Sequence, residues 1–167
     1  FFVPEYSDEF LYALFLKNKA VFYGALLEKL PIEDFEATVS YVSSDMREAA
    51  LVFLKKFVKV DDDGKKYLEL PGGKDLCVPS GIKTKFDDGA LIAFNKSGVA
   101  TKQKFVMGAC VIDRDYCGEV HVHVINTSDS PQRVTFGAKL SQFIHVPVGF
   151  GPVLDKTGIP EDEFFGG

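Results

Sequence analysis

Nowhere in the 167 residues does an apolar run approach the ~20 residues that a membrane-crossing helix needs, which excludes that class of protein. The opening FFVPEYSDEF lacks the basic stretch that precedes the apolar core of a secretory signal, so none is expected. Positive charge is also short. Nineteen Lys and Arg against 24 Asp and Glu leave a net charge of −5, and an acidic chain has no global field for nucleic acid. No direct nucleic-acid binding and no membrane partner are therefore expected, and a polyanionic ligand would need a local positive site. Cysteine is scarce: Cys77, Cys110 and Cys117 are odd in number and form no CxxC pair. That argues against a disulfide framework or a zinc site, and a reducing, cytoplasmic setting fits (host cytoplasm if the source is viral). Internal repeats and low-complexity segments are absent too.

What is present divides near residue 61. Ahead of it the apolar spacing is helical. Ser7 can cap a helix whose first turn holds Asp8 and Glu9, with Phe10, Leu11, Leu14 and Phe15 on one face. Leu30-Pro31, followed by Glu33 and Asp34, suits a second helix start. Ser44-Asp45 opens a third, along which Met46, Ala49, Ala50, Phe53, Leu54 and Phe57 recur at helical spacing. Asp61-Asp62-Asp63-Gly64 lacks the alternating ligands and distal Glu of a calcium loop and reads as a solvated turn. The segments KKYLEL, DLCVPSGIKTKF, ALIAF, KFVMGACVI, EVHVHVIN, QRVTF and KLSQFIHVPV then read as short strands between turn residues, which predicts a sandwich or barrel. The expected organisation is a helical extension or insertion at 1–64 and a β domain at 65–167. In EVHVHVIN, Val120, Val122 and Val124 share one face. His121 and His123 share the other, where no Cys or carboxylate pattern makes them metal ligands; a polar or intersubunit surface suits them better. His145 stands alone.

Four segments stand out for their order: PGGKDLCVP (71–79), ALIAFNKSGVATK (90–102), GACVIDRDYCGEV (108–120) and FGAKLSQFI (136–144). A lone Asp-x-Asp-Tyr would be weak, but together these resemble four of the five motifs of the trimeric dUTPase family, in sequence and near the expected spacing. The resemblance covers about half of the chain. It implies a mainly β, jelly-roll-like or barrel fold, α+β overall once the helical segment is added. It implies a homotrimer with intersubunit active sites, and Mg2+-dependent hydrolysis of dUTP to dUMP and pyrophosphate, which keeps uracil out of DNA.

The roles that the resemblance implies make chemical sense. Asp113 matches the aspartate that activates a water aimed at the α-phosphorus. Asp115 is expected to brace the turn. Tyr116 matches the ring that packs on deoxyribose and leaves no room for a 2′-OH. Gly108 and Cys110, on a hairpin leading to Asp113, would present backbone groups to the uracil edge. Lys96, Ser97 and Gly98 match a phosphate-holding motif, with Gly permitting close approach. Gln142 would donate to a phosphate, and Asp75 would act on Mg2+ through water. Lys96 stands where the family usually has Arg, keeping the charge but losing the bidentate fork, and Ala138-Lys139 replaces an Asp-Arg pair. A Gly-rich, Phe-containing C-terminal arm would be the fifth motif; Glu163 to Gly167 reads as its beginning, and Gly149-Phe150-Gly151 lies too close behind the fourth motif to be it. The related dCTP deaminases need a catalytic Glu in a different hairpin, which VIDRDY does not supply. A regulatory nucleotide-binding protein of the same fold, gripping a partner through the helical segment, is the alternative. A purely structural jelly roll would have no use for Asp75, Ser97, Asp113, Tyr116 and Gln142 in this order.

Overall fold

Ser7 begins the first helix as its cap chemistry predicts: its extended backbone turns into α1 (Asp8–Lys17), and its hydroxyl accepts from the Phe10 N–H at 3.2 Å. The computed structural model describes residues 1–19, 21–22, 47–149 and 157–158. The predicted helix start at Leu30-Pro31, the cap at Ser44-Asp45, Phe150-Gly151 and the terminal Glu163–Gly167 lie outside those residues. The third predicted helix is described from Arg47, as α2 (Arg47–Lys55).

Leu11, Leu14 and Phe15 of α1 are buried, as are Ala50, Phe53 and Leu54 of α2. Their aromatic contacts are edge-on: Phe15 lies 6.1 Å from Phe53, and Phe53 lies 5.2 Å from Phe57. This apolar face carries the packing. The surface ion pair Lys55–Asp8 (3.1 Å) adds little to it. The tri-aspartate turn spends its carboxylate on the backbone, with Asp61 Oδ1 accepting from the Asp63 and Lys65 N–H groups at 2.9 and 2.8 Å.

On either side of that turn and beyond it, the described residues are mainly β. The strands are β1 (Lys59–Val60), β2 (Lys66–Leu70), β3 (Asp75–Pro79), β4 (Ala90–Asn95), β5 (Phe105–Met107), β6 (Val111–Asp113), β7 (His121–Asn126), β8 (Gln132–Thr135) and β9 (Ser141–Val146). A short π-helical turn, Val99–Gln103, separates β4 from β5. Three antiparallel sheets have the orders β1-β2-β8, β3-β7-β5 and β6-β4-β9. The mainly β class with appended helices is thus as expected. The alternation in β7 holds: Val120, Val122 and Val124 are buried, while His121 and His123 face the other way. One buried cluster runs from α1 and α2 into Leu68, Val78, Val122 and Val134, so helices and sheets share a core.

Two strand expectations need correction. DLCVPSGIKTKF is strand only as far as Pro79. KFVMGACVI is not one strand: it breaks at Gly108–Cys110, and its halves join different sheets, β5 pairing with β7 and β6 with β4. The Asp-Arg-Asp-Tyr turn therefore does not tip a two-strand hairpin. It lies on an excursion from one sheet to another, and periodicity cannot reveal that, because both halves alternate alike.

The turn before β3 is held from behind by Asn126, a fully buried side chain. Its amide nitrogen donates to the Leu70 and Ser130 carbonyls, each at 2.9 Å, and its backbone carbonyl accepts from Gly73 N–H at 2.9 Å. Gly72 permits this closeness, since a Cβ there would stand 2.5 Å from the Asp129 carbonyl carbon. Backbone cannot yield as a side-chain tip can. Gly72→Ala is expected to cost about 1–3 kcal/mol in urea unfolding.

Candidate active site

Asp113 closes β6 at an exposed position. In register, it stands opposite Ala90, and Ala90 stands opposite Val146; Val111, Ile92 and Ile144 form the next row, and Phe94 and Gln142 the third. Directly opposed and alternate residues share a face, so Asp113 and Gln142 look out from the same side of one sheet. They are nonetheless far apart. Strands spaced ~4.8 Å and rising ~3.3 Å per residue put Gln142, two strands across and four residues along, roughly 16 Å from Asp113. Between them lies an apolar surface with Val111 61% exposed, Ile144 45% and Phe94 41%.

The sequence-predicted residues thus fall into groups. Gln142 Nε2 donates to the Asn95 carbonyl at 2.9 Å, which sets it beside Lys96, Ser97 and Gly98. Ser97 and Gly98 are exposed and lead into the π-helical turn, whose Ala100 N–H donates to the Lys96 carbonyl at 2.9 Å. Asp113 and Tyr116 form the second group. The Tyr116 N–H closes their turn on the Asp113 carbonyl at 3.1 Å. Asp115 was expected to brace that turn; it is exposed, and the backbone closure does the bracing. The Tyr116 hydroxyl donates to the Glu119 carbonyl at 2.7 Å, and the ring lies so close over Gly118 that a Cβ there would stand 2.7 Å from Oη. Glu119 in turn accepts from Gly81 N–H at 2.7 Å, fixing the ring's seat to the loop after β3.

Asp75 and the 108–110 segment form the third group, and a residue that the motifs did not assign joins them. His123 lies opposite Cys77, on the polar face of β7 that also looks toward Asp75. Its Nε2 is 2.7 Å from Asp75 Oδ2, and its Nδ1 accepts from the Ala109 N–H at 2.9 Å. Gly108 N–H donates to the His123 carbonyl at 2.9 Å, and Ala93 N–H donates to the Cys110 carbonyl at 2.9 Å. The Gly108 N–H and Cys110 C=O, which the motif would offer to a base, are therefore spent within the protein. The Cys110 N–H and the carbonyls of Gly108 and Ala109 have no partner among the described residues. The HVH pattern was the available signal for His123, but only the β3–β7 register reveals its partner. Burial, with a smaller contribution from Asp75, holds the Cys77 thiol above its ordinary pKa, which favours the neutral thiol.

A family model described as dUTPase matches residues 64–160, more than half of the chain. The chain belongs to the dUTPase family. The deoxyuridine 5'-triphosphate nucleotidohydrolase of Shewanella denitrificans is 38% identical over 85 residues, covering 48% of this chain and 56% of that protein. Its counterpart in Desulfitobacterium hafniense is 33% identical over 100 residues, covering 54% and 66%. The chain thus spans between about half and two thirds of these curated relatives. Among solved structures, the native EIAV dUTPase matches 60% of this chain and 92% of its own at 21% identity and a TM-score of 0.48.

A dUTPase-family site calls for a divalent cation. Among the described residues no three His, Cys, Asp or Glu side chains gather into a cage. The Asp75 carboxylate is 59% exposed, with His123 on its Oδ2. A single exposed hard-oxygen donor fits Mg2+, which keeps several waters and takes its other ligands from substrate phosphates.

Proposed function

We propose that this protein hydrolyses dUTP to dUMP and pyrophosphate, in sites completed by neighbouring copies within a homotrimer. The observation that carries the reading is the separation of Asp113 from Gln142 across one exposed apolar sheet face. Within one chain they are too far apart to serve one triphosphate. A second copy packed on that face would bury Val111, Ile144 and Phe94 and bring its own phosphate-holding group to Asp113.

Asp113 takes a proton from a water that attacks the α-phosphorus in line, and the bond from that phosphorus to the bridging oxygen breaks, releasing pyrophosphate. Cys110 N–H donates to a uracil carbonyl, and the Gly108 or Ala109 carbonyl accepts the uracil N3–H. Cytosine offers an amine and a bare N3 there, so it mispairs; the 5-methyl of thymine meets the same tight backbone. The outer face of Tyr116 packs on the deoxyribose. Ser97, Gly98 and Gln142, together from a neighbouring copy, hold phosphate oxygens, and Gln142 has a second amide hydrogen beyond the one on Asn95. Lys96 adds charge without a fork. Bound Mg2+, held through water by Asp75, supplies charge neutralisation on the phosphates. The three free thiols accord with a cytoplasmic setting. Pairing of Phe2 with Lys139, and of Val3 N–H with the Ala138 carbonyl at 2.9 Å, supports reading the helices as an insertion after a first β segment.

Pyrophosphate release from dUTP, dCTP, dTTP and UTP with Mg2+ tests the reading. Turnover confined to dUTP is expected; equal turnover of dUTP and dCTP would overturn it. Gly118→Ala lifts Tyr116 from its seat, and the kcat/KM preference for dUTP over UTP is expected to fall about 10-fold, for a loss of roughly 1–2 kcal/mol in packing and one hydrogen bond.

A further inference from the structure

His123 has a specific place in this machinery. Its ring spans two groups that the motifs treat as separate: the carboxylate of Asp75, 2.7 Å from Nε2, and the Ala109 N–H, 2.9 Å from Nδ1. The roles are fixed by the partners. An amide N–H can only donate, so Nδ1 is the bare nitrogen, and Nε2 carries the proton toward Asp75. The ring also covers Gly108, where a Cβ would stand 2.1 Å from Nδ1, so the segment passes flush beneath it. The His123 carbonyl holds the Gly108 N–H at 2.9 Å. One residue therefore fixes two successive amides of the 108–110 segment and orients the carboxylate at the head of β3. With Ala109 N–H pinned inward, the next amide, Cys110, is the one left to face a base.

We propose that His123 is a positioning residue with two separable functions. Its Nδ1 sets the backbone segment that discriminates the base, and its Nε2–H sets Asp75 for the hydrated cation. The inference rests on the nucleotide-hydrolase reading and adds to it the residue that fixes which backbone groups read the base. Substitution separates the two ends. Asn places an oxygen where Nδ1 stands and reaches no further, so His123→Asn keeps the Ala109 contact and loses Asp75. Gln places an amide N–H near the position of Nε2 and leaves Nδ1 empty, so His123→Gln does the reverse.

The assembled protein is assayed in two ways. In EDTA, dUMP affinity is measured by calorimetry; with substrate, the Mg2+ concentration for half-maximal rate and the dUTP-over-dCTP preference are measured. His123→Gln is expected to weaken metal-free dUMP binding about 10-fold and to erode the base preference while leaving the Mg2+ requirement near wild type. His123→Asn is expected to keep metal-free dUMP binding within about twofold and to raise the Mg2+ requirement about 10-fold. Equal losses in both variants, or none in either, would overturn the two-function assignment. Ring 15N chemical shifts of wild-type His123 test the geometry independently of activity and of how well the variants fold. A bare Nδ1 is expected, and a protonated Nδ1 would overturn the proposal even in an active enzyme. A wild type that neither binds dUMP nor turns over dUTP would instead refute the hydrolase reading, with the ring shifts still deciding the contact.

Discussion

Asp113→Asn is expected to lower kcat for dUTP about 10²–10⁴-fold, the range that a positioned general base contributes. The amide is nearly isosteric and cannot take a proton. Asp113 is exposed at the end of β6, so the substitution should leave folding intact. Affinity for dUMP should also hold, because the groups proposed to read the base and sugar, at Gly108–Cys110 and Tyr116, are untouched. A fall in kcat with KM nearly constant therefore separates chemistry from binding. A rate within about threefold of wild type would remove Asp113 from the role of base.

The second large effect concerns stability, and its origin is Asn18, only 6% exposed at the end of α1. The Asn18 side chain pairs with strand β3 as a neighbouring strand would. Its Oδ1 accepts from Cys77 N–H at 2.7 Å, and its Nδ2 donates to the Cys77 carbonyl at 2.8 Å. Nδ2 also donates to the Leu14 carbonyl at 2.8 Å, tying the same amide to α1. β3 is an edge strand of its sheet, and this amide closes that edge at Cys77. Asn18→Leu has similar volume and strands two backbone groups of Cys77. It is expected to cost about 2–4 kcal/mol in urea unfolding, and several degrees in Tm. Asn18→Asp should rescue little, since it turns a carboxylate oxygen toward two carbonyls. Because Cys77 lies two residues from Asp75, the Mg2+ concentration needed for half-maximal rate should rise in either variant. A cost below about 0.5 kcal/mol would mean that the helices are not anchored through this amide.

Legibility in the sequence followed the range of the physics. The cap at Ser7, the buried faces of α1 and α2 and the alternation of β7 are local, and each reads off neighbours three or four, or two, residues apart. The tri-aspartate turn was readable for the same reason. The break at Gly108–Cys110 was not, because which sheet a strand joins depends on partners remote in sequence. The motif order brought the family into view, and the family match to residues 64–160 bears it out. Spacing alone could not say that Asp113 and Gln142 lie far apart on one face, which needs the β6-β4-β9 register. His123 and Asn18 escaped for a related reason. A histidine on a polar strand face and an asparagine after a helix are each unremarkable until β3 comes alongside. Glu119, which fixes the seat of Tyr116, looked like one more charge at a strand start.

The central claim is that a water activated at Asp113 attacks the α-phosphorus of dUTP. Turnover in H2 18O, with the products resolved by mass spectrometry, tests it directly. One 18O per turnover in dUMP and none in pyrophosphate is the expected result. Label in pyrophosphate or in inorganic phosphate would place the attack on another phosphorus and contradict the account.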